Sequence, residues 1–243
     1  MPEIPRFEEL DYQKTPLGDL ILRKRTILSL ENLEIYEIIL GNAFLMSSMF
    51  TVVEQKLSCL GLAEASKAFP DEKLKVIVGG LGLGYTARAA LEFEEVESLG
   101  IVELLKPVIE WHERELVPLG KGLNDDKRCR YLQGDFFELS LGEGYEGPGV
   151  QYHAILLDID HSPAHLLTEK NARFYSAEGL GMFLEKIRAG GVFGLWSDDP
   201  PEERFLNSLN EVFESVESHQ VTFRNPIQDQ DFQSTVYLAV KAK

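Results

Sequence analysis

The sequence predicts an α/β fold, a mostly parallel sheet with helices on both faces in a Rossmann-like arrangement, with a small N-terminal β-segment. Three observations carry this. From residue 74 onward, apolar strand-like runs alternate with helix-compatible segments, the pattern of a doubly wound sheet. The first run, Val76-Ile77-Val78, leads into a glycine cluster, Gly79, Gly80, Gly82 and Gly84, and then into a helix-compatible stretch, 86–93. Glu103 closes the second apolar run nineteen residues after Gly84. Strand, glycine turn, helix and a spaced acid are how an open α/β sheet builds a nucleotide pocket.

The elements follow in order. Residues 17–23 and 33–40 read as strands, and 43–46 as a third, separated by polar turns at 29–32 and Gly41-Asn42. Residues 51–67 have helical spacing, with Val52, Val53, Leu57, Leu60 and Ala63 available for one face. The run 68–71, with Pro70, ends that helix. This divides the chain into an N-terminal β-segment with its connecting helix, 1–73, and a cofactor-binding domain, 74–243. In the second part, 76–78 is a strand and 86–93 a helix, 99–102 a strand and 107–116 a helix with Pro107 in its first turn. Strands at 130–133 and 152–157 come next. A helix over 177–187 ends at Gly190-Gly191, a strand over 192–196 follows, then a helix over 202–213. Two closing strands, 216–223 and 235–240, complete the sheet.

Composition narrows the function. The net charge of −16 argues against DNA or RNA as the main partner, because phosphate binding relies on Lys and Arg. An acidic surface favours cationic substrates such as amines, or serves solubility alone. No segment has the apolar length needed to span a bilayer, so no membrane partner is expected. Residues 1–14 are acidic and lack the basic and apolar regions of a signal peptide. The two cysteines, Cys59 and Cys129, have neither metal-ligand nor disulfide spacing, so a reducing cytoplasm is expected and no metal site.

The strand ends carry the candidate chemistry. A dinucleotide fingerprint beginning at Gly80 would need a glycine where Tyr85 stands. The spacing G-x-G-x-G, through Gly80, Gly82 and Gly84, instead suits an S-adenosylmethionine enzyme. No lysine followed by Ser or Thr trails the glycines, so a P-loop is not expected. Glu103 is placed to accept hydrogen bonds from both ribose hydroxyls. Asp135, after the third strand, is placed either to accept from the adenine amino group, with Phe136 against the ring, or to cap a helix. Asp158 and Asp160 lie on opposite sides of an extended segment, so only one faces the pocket. Asp158 is the candidate to orient an acceptor or take its proton, against a capping role. His161 is a second candidate base, against an exposed loop position. The run from Trp196 to Asp199 is a candidate wall of the acceptor pocket, with Asp199 first a turn residue.

These residues resemble the spermidine synthase-like branch of the class I S-adenosylmethionine-dependent methyltransferase superfamily. The resemblance rests on residues 79–91 (GGLGLGYTARAAL), 102–116, 134–139 (GDFFEL), 155–163 (ILLDIDHSP), 190–197 (GGVFGLWS) and 235–241 (TVYLAVK), in the family's order. Three positions depart from it. The family's glycine loop carries an aspartate where Gly82 stands, its second acceptor-side aspartate falls on His161, and its acidic pair after the β-segment is reduced to Glu54. The resemblance implies a donor of the S-adenosylmethionine type, intact or decarboxylated, held by Gly80, Gly82, Gly84, Glu103, Asp135 and Phe136. It implies a small-molecule acceptor, an amine among the candidates, facing Asp158 and His161, and it is compatible with a homodimer. The acid-free loop suits intact S-adenosylmethionine, so methyl transfer is the first expectation. Aminopropyl transfer from the decarboxylated donor is the alternative, and a non-catalytic S-adenosylmethionine-binding protein the third.

Overall fold

The computed structural model describes residues 6–243. Its N-terminal part is an antiparallel meander of four strands in sequence order: β1 (Phe7–Thr15), β2 (Gly18–Ile27), β3 (Leu33–Leu40) and β4 (Ala43–Ser47). Sequence reasoning missed β1. Glu8 and Glu9 face solvent on this edge strand, Asp11 accepts from Trp111 Nε1 at 2.7 Å, and a bulge between Glu9 and Asp11 interrupts the alternation that marks a half-buried strand. In β2 the alternation is clean, with Leu20 and Leu22 fully buried.

Helix α1 (Val52–Ala68) leads from this sheet to the second one. The second sheet contains β5 (Leu74–Gly79), β6 (Val96–Glu103), β7 (Cys129–Gln133), β8 (Tyr152–Leu157), β9 (Ile187–Ser197), β10 (Ser215–Asn225) and β11 (Gln230–Val240). Their order is β10-β11-β9-β8-β5-β6-β7. Strands β5 to β9 run parallel, and the β10–β11 hairpin closes the edge antiparallel. The order reverses at β5, which pairs with both β6 and β8, and that reversal opens a crevice at the carboxyl ends of the strands.

Helices α2 (Tyr85–Ala90), α3 (Lys106–Glu113), α4 (Gly120–Asp125), α5 (Phe136–Leu141), α6 (Ala177–Phe183) and α7 (Glu203–Asn210) complete the fold. Period-two alternation places β5 between two cores. Val76 and Val78 join a cluster with α1 and the N-terminal sheet, including Leu57, Leu20 and Ile38. Ile77 joins an aromatic cluster with Phe136, Phe174, Phe183 and Phe193. Helix α1 therefore lies between the two sheets. Gly61 lets it approach the large one so closely that a Cβ there would meet Leu156 at 2.7 Å.

Several boundaries moved: the helices expected over 86–93 and 202–213 are Tyr85–Ala90 and Glu203–Asn210, and the last strand begins at Gln230. The helix expected to reach residue 187 ends at Phe183, a short 3-10 turn covers Leu184–Lys186, and β9 begins at Ile187. Gly190 and Gly191 are thus inside the strand. Gly190 donates to the Lys241 carbonyl at 3.0 Å, and Gly191 sits in a register shift opposite Tyr152 to Ala154, where a side chain would crowd Ile187 and the His153 carbonyl. Helices α4 and α5 were not expected; each is only six residues long. No helix among the described residues is long and apolar enough to cross a membrane.

Candidate functional site

The glycine loop between β5 and α2 forms the floor of the crevice. Gly80 has φ +94°, and any side chain there would run into the carbonyl oxygen of Asp158 at the end of β8. Gly82 has φ +48°, and its missing Cβ leaves room for the Met46 sulfur, which reaches over from β4. The Leu83 amide donates to that sulfur at 3.0 Å. His112 of α3 holds the loop from below, its Nε2 lying 2.9 Å from the Gly82 carbonyl oxygen. Burial pushes the His112 pKa down to about 4, so the ring is neutral and its Nε2–H donates to that oxygen. Gly84 packs against the same imidazole and Leu123.

Glu103 stands at the end of β6, one strand over. Its Oε2 accepts from the Leu81 amide at 3.1 Å and its Oε1 from the Leu105 amide at 2.7 Å. It therefore fastens the glycine loop to the β6 end. Burial raises its pKa, and these amides oppose the shift. The Leu104 and Gly82 amides also act on this carboxylate, so a ribose hydroxyl has to share its oxygens with the loop amides.

Asp135 is the N-cap of α5. Its Oδ1 accepts from the Phe137 amide at 3.0 Å and the Glu138 amide at 3.3 Å, and its Oδ2 takes the Lys170 ammonium at 2.6 Å. The capping alternative is the one observed, and a ligand amino group has to share Oδ2 with Lys170. The Asp135–Glu138 spacing was the signal for α5. Phe136 does not stand free for an adenine ring. It is 2% exposed and stacks on Tyr145 at 5.3 Å within the aromatic core, reaching the crevice only as part of its lining.

Asp158 and Asp160 diverge as the extended backbone requires. Asp160 is buried and fully bonded, by the Leu167 amide at 2.7 Å, Tyr175 Oη at 2.8 Å and Asn171 Nδ2 at 3.0 and 3.1 Å. It shapes the loop after β8. Asp158 faces the crevice, with Oδ2 accepting from Thr86 Oγ1 at 2.6 Å. Burial pushes its pKa up to about 6.

Its companion is Glu54, in the first turn of α1 and 7% exposed. Burial, then the charge of Asp158 and more weakly that of Asp198, push the Glu54 acid up to about 8. Sequence reasoning treated Glu54 as a remnant and did not place it in the site. An acid in a helix's first turn has an ordinary explanation in the helix dipole. Only the packing of α1 against the ends of β8 and β9 turns it into the crevice.

The crevice holds about 1160 Å³ of empty space, open to solvent at its mouth, and is lined by Gly80, Gly82, Glu103, Asp135, Asp158 and Glu54, among others. His161 and Trp196 also line it; the Trp196 Nε1–H is buried without a protein partner among the described residues. Asp199 binds His165 Nδ1 at 2.7 Å and serves its own loop. Lys170, paired with Asp135, is the one lysine or arginine on the crevice wall among the described residues. The crevice therefore suits a cationic ligand far better than an anionic one. No group of metal-ligating side chains converges among the described residues.

No family model matches the sequence. The structure superposes on the crystal structure of a spermidine synthase from Thermotoga maritima with a TM-score of 0.70 at 16% identity, covering 96% of this chain and 73% of that one. It superposes on a spermidine synthase in complex with the transition-state analogue AdoDATO with a TM-score of 0.68 at 15% identity, covering 96% and 72%. The chain thus has the fold of the spermidine synthases, a class I methyltransferase-like α/β sheet preceded by an antiparallel β-sheet.

Proposed function

We propose that this protein is an aminopropyltransferase-type enzyme, moving the aminopropyl group of decarboxylated S-adenosylmethionine to an amine. One observation carries the reading. Glu54 and Asp158 bring two buried carboxylates to the crevice, and no cation lines their side of it. A sulfonium donor with a free ammonium, and an amine acceptor, supply the missing positive charge. The carboxylate of intact S-adenosylmethionine would meet these acids unpaired, because Lys170 is committed to Asp135. That consideration, with the likeness to spermidine synthases, outweighs the absence of an acid at Gly82 and favours aminopropyl over methyl transfer.

The residues present fit such a donor. The loop at Gly80 and Gly82 brings bare backbone to the crevice, and the Glu103 carboxylate lines it where a ribose would share its oxygens with the loop amides. The donor's chemistry lies in its sulfonium, which makes the adjacent carbon electrophilic. The acceptor nitrogen bonds to that carbon, the carbon–sulfur bond breaks, and neutral methylthioadenosine leaves. The enzyme's task is alignment and proton removal. The proton lost by the amine passes to Asp158 or Glu54. Both have pKa values moved toward neutrality, the range in which a carboxylate serves as a base and releases the proton afterwards.

The test offers the decarboxylated and intact donors separately with a panel of primary amines, and mass spectrometry reads the products. Aminopropylated amine with stoichiometric methylthioadenosine supports the proposal. Methylated amine from the intact donor, with none aminopropylated, overturns it. Methylthioadenosine binding without any product would make the chain a binding protein.

A further inference from the structure

A second, solvent-open chamber with about 720 Å³ of empty space adjoins the crevice. The two spaces share Leu45, Met46, Glu54, His161 and Trp196. The outer walls of the chamber are phenylalanines from three strands and a loop: Phe44, Phe50, Phe223 and Phe232. Phe50 lies 5.8 Å from Phe223, and Phe223 lies 6.2 Å from Phe232, ring centre to ring centre. Phe44 is 48% exposed, so the aromatic wall reaches solvent rather than closing into a core.

Charge is confined to one end. Among the described residues lining the chamber, the only carboxylates are Glu54 and Asp198, and no lysine or arginine is present. Asp198 accepts from Ser234 Oγ at 3.2 Å, and its charge acts on Glu54, as does that of Asp158. Glu54 is common to both spaces, Asp158 lines the crevice and Asp198 the chamber, whose remaining wall is mostly apolar and aromatic.

We infer that the chamber is the acceptor subsite and that it selects a primary monoamine carrying an aromatic or bulky apolar tail, not a diamine. The inference rests on reading the crevice as the donor site. The ammonium sits between Glu54 and Asp198, with its nitrogen toward Asp158 and the donor. The tail lies along the phenylalanines, where burial of apolar surface favours it. A diamine would place its second ammonium among those rings, losing hydration with no carboxylate at that end. Attraction of a cation to the ring faces offsets only part of this. The transfer step is unchanged: the amine nitrogen gains the aminopropyl carbon, methylthioadenosine leaves, and a carboxylate takes the proton.

Isothermal calorimetry on protein saturated with methylthioadenosine tests this, with phenylbutylamine and putrescine as probes. Phenylbutylamine is expected to bind at least about tenfold more tightly. Phe223→Glu and, separately, Phe44→Glu place a carboxylate on the outer wall; either is expected to shrink or reverse that ratio while methylthioadenosine affinity holds. The second variant alters an exposed position and keeps the test valid if the first folds poorly. Equal or tighter binding of putrescine to the unaltered protein overturns the inference and leaves the donor reading standing. Failure of methylthioadenosine to bind at all removes both.

Discussion

Glu54→Gln isolates the charge buried at the crevice. In the folded protein Glu54 is moved from its ordinary 4.5 up to about 8, chiefly by burial and then by Asp158. An unfolded chain loses this proton near 4.5, whereas the folded one keeps it until near 8. Between those values the native state binds more protons, so stability falls as pH rises. The cost is absent below pH 4.5 and complete above pH 8. At about 1.36 kcal/mol per pH unit the full span is worth roughly 5 kcal/mol, an upper bound that relaxation reduces. Gln keeps the shape and cannot ionise, so a gain of about 2–3 kcal/mol is expected at pH 8 and almost none at pH 4.5. For a chain of this length that corresponds to a rise in Tm of about 4–12 °C at pH 8. Scanning calorimetry of both proteins at the two pH values reads it directly. An equal shift at both values, or a loss at pH 8, would refute the claim that Glu54 carries a strained charge.

Other expectations follow from the same geometry. Asp158→Asn is expected to leave methylthioadenosine affinity nearly intact and to lower the single-turnover rate by about 10²–10⁴; a near-wild-type rate would assign the proton to Glu54 alone. Glu103→Ala removes the proposed ribose acceptor together with the tether of the glycine loop. Methylthioadenosine affinity, read by calorimetry, should fall by about ten- to a hundredfold in a protein whose circular dichroism is unchanged. Gly82→Asp brings a side chain against the Met46 sulfur, so it is expected to lower stability by about 1–3 kcal/mol in denaturant titration, and Met46→Ala in the same chain to restore part of it. A stable single variant would mean that Met46 moves aside freely.

The legible parts of this molecule were the local ones. Val76-Ile77-Val78 followed by spaced glycines, and the acids at the ends of β6 and β8, are read from short runs because strand burial and turn geometry depend on near neighbours. The divergence of Asp158 and Asp160 follows from strand periodicity alone. What escaped depended on distant contacts. Glu54 becomes a site residue only because α1 packs between the two sheets. Met46 matters only because β4 carries it over the loop at Gly82, and His112 only because α3 places it beneath that loop. Strand β1 was hidden by its bulge and its solvent-facing acids. Helix α5 was announced by Asp135 and Glu138, whose capping spacing was weighed only as an alternative to ligand binding. The donor preference was first drawn from Gly82 by itself; the structure adds the acids that stand on the other side of the crevice.

The most direct measurement of the central claim is a side-by-side calorimetric titration with decarboxylated S-adenosylmethionine and intact S-adenosylmethionine at pH 7.5. The two ligands differ by one carboxylate, and the crevice presents Glu54 and Asp158 with no free lysine or arginine among the described residues of its wall. The account predicts at least about tenfold tighter binding of the decarboxylated donor, about 1.4 kcal/mol, with the difference narrowing in Asp158→Asn, whose carboxylate is the ionised one at this pH. Tighter binding of intact S-adenosylmethionine would contradict it and return the protein to methyl transfer.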